Sequence, residues 1–323
     1  MLSIRKTVAL GLTAAVLAVG VVAAAPIIGA KAEEGSEKWL VDDAEAVVVV
    51  NFKAVFGSGL LTKGVLAEKF KKKLESDDKV KAFVDATGLD MTKDLDSVIV
   101  SASKITDKAS SKGRMVLKGN FDVAKLTGAM KKADNVTVSK EGAVNVFEIK
   151  AQDQTLYGAF AGKNAFVITQ AKDDTVDLAK NGATKAPKSN KDLEAALKKF
   201  TGKEAFALAI LVTEEMKKQA GVNPQLAKSV AALTTLTVAT TVTDAVDLSI
   251  VGNTTDGKAA GQIAKQLTGL HAIGSAAIGA MEQIPQPAKD LFDAIKIDST
   301  RDSVTISLNI SKDLIEKAAK LEK

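Results

Sequence analysis

The chain offers little for catalysis, because it contains one histidine, His271, and no cysteine. A Ser-His-Asp triad would have to use His271, and no nucleophile-elbow motif accompanies it. The histidine lies in a run of small residues that predicts a helix, where a structural role is the preferred interpretation. The lack of cysteine excludes disulfides, thiolate metal ligands and cysteine nucleophiles. We therefore expect a non-enzymatic protein with no catalytic residue and no cofactor.

Three aspartates, Asp90, Asp94 and Asp96, suggest a calcium loop by their composition. Their spacing departs from the EF-hand pattern, and no glutamate stands at the closing position. Turn and helix-capping roles are the preferred interpretation, with adventitious Ca²⁺ binding as the alternative. The sequence predicts no metal site.

Gly57-Ser58-Gly59 follows a predicted strand and resembles the start of a dinucleotide-binding fingerprint. The third glycine of that fingerprint is missing, because Thr62 occupies its position. We interpret the motif as a turn from strand to helix.

A basic cluster on the first predicted helical region could contact an anionic polymer or lipid headgroups. Its members are Lys69, Lys71, Lys72, Lys73, Lys79 and Lys81. Lysines that flank an apolar stripe usually form a solvated face, which is the preferred interpretation. No aromatic residues are interleaved for base stacking, so no nucleic-acid partner is expected.

Four glycines, Gly261, Gly269, Gly274 and Gly279, recur along one predicted helix. Each costs about 1 kcal/mol relative to alanine, so close approach of the helix to a neighbour is the preferred explanation. The alternative is a smooth wall beside an apolar ligand. Its candidate residues are Leu270, Ile273, Gly274 and Ile278.

The N-terminus has the parts of a secretory signal peptide. Arg5 and Lys6 precede an uncharged run over residues 7–29, and Ala30-Lys31-Ala32 supplies a small-x-small cleavage site. Cleavage after Ala32 would export the chain to the periplasm or the extracellular space, with no stable membrane insertion afterwards. An uncleaved membrane anchor is the alternative, because the run is long enough to span a bilayer. Pro26 within the run favours cleavage.

The charge of the chain also depends on this segment. The full sequence has 44 basic and 39 acidic residues, a net charge of +5. The first 32 residues hold three of the basic residues and no acid, so the mature chain would carry 41 basic and 39 acidic residues, or +2. A nearly neutral exported chain has little electrostatic attraction for nucleic acid.

One unit of strand, polar turn, strand and capped helix occurs twice, over residues 96–133 and 233–267. In both copies the second strand runs into Gly-Asn, and an aspartate precedes the helix (Asp122 and Asp256). A further hairpin and helix follow each copy. This order predicts an α+β fold of two topologically similar halves, each with a mainly antiparallel sheet and packed helices.

The boundary between the halves is predicted in the polar stretch 181–190, which ends at a helix-capping Asn190. The predicted parts are a signal peptide (1–32), a first α+β half (33–182), a linker and helix (183–203) and a second α+β half (204–323). The sequence leaves open whether the halves share one sheet.

In this element order, and in features such as Gly119-Asn120-Phe121-Asp122, the chain resembles uncharacterised exported bacterial proteins with repeated α+β halves. The resemblance implies no activity and no site residues. We expect an exported cell-envelope protein that acts by binding or scaffolding, with an envelope protein as its partner. The alternative is a periplasmic carrier of an apolar, lipid-like ligand.

Overall fold

The computed structural model describes residues 29–30, 36–63, 67–68, 72, 84–85, 87–90, 92–107, 109–151, 154–184, 187–220 and 229–320. Its strands are β1 (Gly29–Ala30), β2 (Ala46–Asn51), β3 (Leu95–Ser103), β4 (Lys112–Gly119), β5 (Val136–Glu141), β6 (Val144–Ala151), β7 (Gln154–Ala161), β8 (Ala165–Thr169), β9 (Glu204–Leu211), β10 (Leu233–Val242), β11 (Val246–Thr254), β12 (Ile295–Ser299) and β13 (Ser303–Ile310). Its α-helices are α1 (Phe52–Phe56), α2 (Gly59–Thr62), α3 (Val123–Met130), α4 (Lys172–Asn181), α5 (Lys191–Leu197), α6 (Glu214–Ala220), α7 (Gly257–Ala280), α8 (Gln286–Asp293) and α9 (Lys312–Lys320).

The strands form one 13-stranded sheet in which the neighbours are antiparallel. Its order is β12, β13, β11, β10, β9, β2, β3, β4, β8, β7, β6 and β5, with β1 paired to β9 beside this path. Strands β2 and β9 pair at the centre, where Val48 lies opposite Leu208. The α+β class with an antiparallel sheet is confirmed, and the question left open by the sequence is answered: both halves contribute to a single sheet.

Outward from the β2–β9 pair, the two sides of the sheet have corresponding connections. The order β2, β3, β4, β8, β7 stands on one side, and β9, β10, β11, β13, β12 stands on the other. Strands β6 and β5 extend the first side only. The equivalence of the halves in three dimensions stays a prediction, which superposition of residues 46–180 on 205–320 would test.

Side-chain caps explain where several of these helices begin. The β-branched run of β2 ends at Asn51, because Asn51 caps α1 by accepting a hydrogen bond from the Ala54 N–H at 3.0 Å. Asp122 and Asp256 cap α3 and α7, accepting from the N–H groups of Lys125 and Ala259 at 3.0 and 2.9 Å. The capping role expected of these two aspartates is confirmed.

Side chains alternate between the two faces of the sheet, and each face has its own core. On the face that we call the front, Val47, Val49 and Ile99 pack with residues of α4 and α5. On the back of the first half, α3 covers a cluster that includes Phe147 and Phe166. On the back of the second half, α7 packs against β13.

The N-terminal strand β1 lies within the predicted signal peptide. Gly29 and Ala30 pair with Phe206 and Ala205 of β9, so cleavage after Ala32 would remove this strand. The remainder of the predicted signal peptide lies outside the described residues. Of the basic cluster, only Lys72 lies within them. Across the described ranges, no helix is long and apolar enough to cross a membrane.

Candidate functional site

An apolar cavity of about 520 Å³ lies on the front of the sheet near its centre. Its floor is made by Val47 and Val49 of β2 and by Ile99 of β3, each about 1% exposed. These residues reach the floor because alternate side chains of a strand point to the same face. The cavity therefore occupies the part of the front face where the two halves meet.

Helix α5 and the residues after it form one wall, with Leu193, Leu197 and Phe200 facing the cavity. The helix begins where the sequence predicts, because the Asn190 side chain accepts a hydrogen bond from the Asp192 N–H at 2.8 Å. Leu193 is 1% exposed and joins the core of the front face. The wall is therefore anchored to the sheet by its own buried side chains.

The opposite wall is an irregular stretch, residues 37–45, which we call the cover segment. Leu40, Val41 and Ala44 line the cavity from this segment, and each is buried. The Val41 N–H donates to Ser101 Oγ of β3 at 3.0 Å, and the Glu45 N–H donates to the Ala102 carbonyl at 2.8 Å. The segment is thus bonded to the sheet that it covers.

Polar groups surround the mouth of the cavity. The exposed side chains of Glu37 and Lys198 lie there with Ser189 and Glu194. The Ser189 hydroxyl donates to the Glu194 carboxylate, and Lys198 Nζ lies 4.0 Å from the same carboxylate. The arrangement provides an apolar interior with a polar rim, which suits the binding of a ligand that has an apolar body.

A comparison of the overall backbone with solved structures finds two crystal forms of one protein. Crystal form III of TP0453 has a TM-score of 0.48 and 11% identity, covering 87% of this chain and 95% of that one. Crystal form I of TP0453 has a TM-score of 0.44 and 10% identity over the same shares. No family model matches the chain, and no curated protein matches it. Both TM-scores lie below 0.5.

Glu204 fixes the loop that returns from α5 to the sheet. Its carboxylate accepts hydrogen bonds from the Thr201 N–H at 2.6 Å, the Thr201 hydroxyl at 2.8 Å and the Gly202 N–H at 2.7 Å. Burial of Glu204 raises its pKa, but these donors favour the charged form and leave the pKa below its ordinary value. The charged carboxylate therefore stabilises the loop beside Phe200.

We expect Glu204→Gln to lower the free energy of unfolding by about 1–3 kcal/mol near neutral pH, because an amide N–H would replace an acceptor among these donors. A carboxyl whose pKa is lowered by folding contributes stability above its unfolded pKa, and that contribution is lost as the pH falls through the folded value. The difference in the free energy of unfolding between the unmodified protein and Glu204→Gln should therefore decrease in acid. Urea unfolding of the two proteins at pH ~7 and pH ~3 measures this difference at each pH. An increase of this difference in acid would contradict a stabilising role for the charged Glu204 carboxylate.

The predicted ligand wall on the glycine-rich helix lies elsewhere, on α7. Leu270 and Ile273 are 64% and 70% exposed, and Ile278 is partly exposed. A Cβ atom on Gly274 would lie 2.7 Å from Cζ of Phe292 in α8. None of these four wall residues lines the cavity beside α5.

Close approach is required at one of the four glycines of α7. A Cβ on Gly261, Gly269 or Gly279 would meet no atom within 4 Å, apart from neighbours in the helix backbone. Close packing therefore explains Gly274, and its neighbour is a helix rather than the sheet.

His271 joins the same two helices. Its ring stacks on Phe292 with centroids 5.0 Å apart, and its Nε2 lies 2.9 Å from the Phe292 carbonyl oxygen. These two contacts link α7 to α8 through the histidine side chain. The ring lies on α7, away from the residues that line the cavity.

Two aspartates of the suspected calcium loop, Asp90 and Asp94, form hydrogen bonds within their own turn, and the third, Asp96, pairs with a lysine of α1. The Asp90 carboxylate accepts hydrogen bonds from Lys93 Nζ at 2.6 Å and from the N–H and hydroxyl of Thr92. Lys93 and Thr92 lower the pKa of Asp90 to about 2. Asp94 accepts from the Asp90 N–H, and Asp96 pairs with Lys53 at 2.7 Å. Within the described ranges, no group of three or more acidic, histidine or cysteine side chains could hold a metal ion.

The glycine motif is also a turn. Ser58 caps α2 with its side chain directed at the Leu61 N–H at 3.4 Å, and Gly59 lies against the Asp244 carboxylate. The motif is a turn, as interpreted, but it joins α1 to α2 rather than a strand to a helix, because α1 begins directly after β2.

Sequence reasoning missed most of the cavity. Leu193, Leu197 and Phe200 were visible as the apolar stripe of a capped helix. The sequence did not indicate a role for Arg114, whose Nη1 donates to the carbonyls of Trp39 at 3.3 Å and Leu40 at 2.7 Å. An arginine within an apolar strand is the one signal that could have drawn attention to it.

Proposed function

We propose that this chain is an exported, non-enzymatic protein of the cell envelope that binds an apolar, lipid-like ligand in the cavity beside α5. The observation that carries the proposal is the cavity itself, with its aliphatic floor and walls and its polar rim. Its volume of about 520 Å³ falls in the range typical of small-molecule sites.

The chemistry of the lining supports binding. The side chains that line the interior include valine, leucine, isoleucine, alanine and phenylalanine, and Glu37 and Lys198 lie at the solvent-facing mouth. The floor residues keep only about 1% exposure, so they form an apolar base that is almost fully buried. An apolar space suits a hydrocarbon chain, whose transfer from water is favourable by about 0.8 kcal/mol per buried CH₂.

Export is the second part of the proposal. The charged start, the uncharged run and the Ala30-Lys31-Ala32 site support it. Fractionation of the native host with N-terminal sequencing should give an extracytoplasmic chain that begins at Glu33. A full-length chain in the membrane fraction would contradict cleavage.

Binding is tested with the neutral fluorescent probe N-phenyl-1-naphthylamine. Leu197→Trp places a larger side chain on the cavity wall, and we expect it to weaken probe binding at least tenfold, or by about 1.4 kcal/mol. Ala195→Trp is the matched control, because Ala195 lies on the exposed face of the same helix and does not line the cavity. The control should bind as the unmodified protein does, with thermal unfolding showing that both variants are folded. Failure of the unmodified protein to bind, or equal binding by the two variants, would refute the proposal.

A further inference from the structure

The cover segment is the wall of the cavity that has the fewest regular contacts. The floor belongs to strands in the middle of a 13-stranded sheet, and the other wall is a capped helix with Leu193 and Ala196 buried. The cover segment includes the last three residues of a short 3-10 helix, Ser36–Trp39, and reaches a strand only at β2. The mouth of the cavity can therefore widen most readily where this segment lies.

Arg114 of β4 holds the cover segment by its backbone. Its Nη1 donates to the carbonyls of Trp39 and Leu40, so one charged group bonds two consecutive residues. Its Nε is buried without a hydrogen-bond partner, and Arg114 forms no ion pair with another residue in the described part of the chain. Hydrogen bonds from a charged donor are stronger than those between neutral groups. Arg114 thus holds the cover segment through two backbone carbonyls. Burial lowers the pKa of Arg114, while the Asp174, Asp42 and Asp177 carboxylates lie near enough to raise it.

A second attachment joins the cover segment to the linker before α5. The Asp43 N–H donates to the Lys188 carbonyl at 2.8 Å, and the Lys188 N–H donates to Asp42 Oδ1 at 2.9 Å. Pro187 and Ser189, on either side of Lys188, line the cavity. The segment and the linker therefore meet edge to edge over the cavity.

The cover segment contains a residue with an unusual backbone conformation. Asp43 has φ of +52°, a left-handed conformation that is uncommon for residues other than glycine. Two residues later, Glu45 is bonded to β3 through its N–H and accepts from the Ile105 N–H at 2.9 Å through its carboxylate. Rotation around residues 42–44 would move Leu40 and Val41 and leave the sheet pairing of β2 unchanged.

We propose that residues 37–45 form a hinged cover that swings outward to widen the mouth of the cavity for an apolar ligand, and that Arg114 holds the cover in its inward position. The inference rests on the proposed binding function. When the cover opens, Leu40, Val41 and Ala44 move away from the other residues that line the cavity. The apolar part of the ligand then contacts those lining residues instead. Because the ligand covers the apolar surface that the cover exposes when it opens, the open state with ligand bound leaves little apolar surface in water.

The lack of native cysteine allows the cover to be locked selectively. Asp42→Cys and Lys188→Cys together would supply the only two thiols in the chain. The Lys188 N–H donates to Asp42 Oδ1, and the neighbouring Asp43 N–H donates to the Lys188 carbonyl, so the two stretches lie side by side, as a disulfide requires. We expect association of N-phenyl-1-naphthylamine to be at least tenfold slower in the oxidised double variant than in the same sample after reduction. The Lys188→Cys single variant, which should not respond to reductant, is the control.

Arg114→Met provides a second measurement that does not depend on disulfide formation. We expect the probe to associate at least threefold faster with this variant, and Arg114→Lys to restore part of the slower rate. Equal association rates in the oxidised and reduced double variant, or an unchanged rate in Arg114→Met, would overturn the cover proposal while leaving binding itself established. If the unmodified protein binds no probe, the binding function is refuted and the cover proposal falls with it.

Discussion

Replacement of Phe147 by alanine is expected to lower the free energy of unfolding by about 3–5 kcal/mol. Phe147 lies on β6 with no exposed surface, and its ring centroid is 5.9 Å from that of Phe160 and 5.8 Å from that of Phe166. The loss has two parts: the transfer free energy of the ring and the cavity left where neighbours cannot collapse. Urea unfolding followed by circular dichroism measures it.

Phe147→Leu is the matched control, since it keeps apolar volume at the same position. We expect it to cost about 1 kcal/mol, well below the alanine variant. Because Phe147 packs on the back of the sheet and the cavity lies on the front, folded Phe147→Ala should bind the probe as the unmodified protein does. A cost below about 1 kcal/mol for Phe147→Ala would show that the aromatic cluster is not a cooperative part of the core.

The elements that were predicted from sequence are those whose signals are local. The caps at Asp122, Asp256 and Asn190 need only a side-chain oxygen and the N–H groups two or three residues onward. The hairpin of β7 and β8 is signalled by Gly162, which has φ of +70°. In each case sequence neighbours supply both partners of the interaction, so the pattern is complete within a few residues.

Two elements were missed for a related reason. Strand β5 lies at the edge of the sheet, and its residues after Val136 are largely exposed, so it has little apolar alternation. Helix α8 has only eight residues and no buried side chain, and it is held by contacts with α7 such as Phe292 on His271. Both elements are defined by contacts with residues outside the element itself, so the residues of the element alone do not predict it.

The cavity depends on long-range pairing in the same way. Its floor, helix wall and cover come from residues near positions 47, 99, 193 and 41, which become neighbours only when β2, β3 and α5 are in place. The register that sets Val49 opposite Ile99 decides which side chains reach the floor. The sequence could therefore suggest an apolar ligand but placed it against α7, the helix whose glycines stand out most clearly.

The two helix glycines Gly274 and Gly269 give a direct comparison between a packed and an open position. We expect Gly274→Leu to lower the free energy of unfolding by about 1–3 kcal/mol, because its Cβ would meet the Phe292 ring that also stacks on His271. Gly269→Leu has no such neighbour and is exposed, so the better helix propensity of leucine should leave stability unchanged or raise it by about 0.5–1 kcal/mol. Urea unfolding measures the difference, and amide hydrogen exchange shows whether α8 loosens in the first variant.

The same pair separates the two locations for a ligand. If the ligand binds beside α5, folded Gly274→Leu should retain probe binding, since neither α7 nor α8 lines that cavity. If Leu270, Ile273, Gly274 and Ile278 form the binding wall, the leucine would fill it, and binding should be lost while stability stays nearly unchanged. The exposure of Leu270 and Ile273 and the contact at Gly274 favour the first result. Loss of binding without loss of stability would move the site to α7 and remove the basis for the hinged cover.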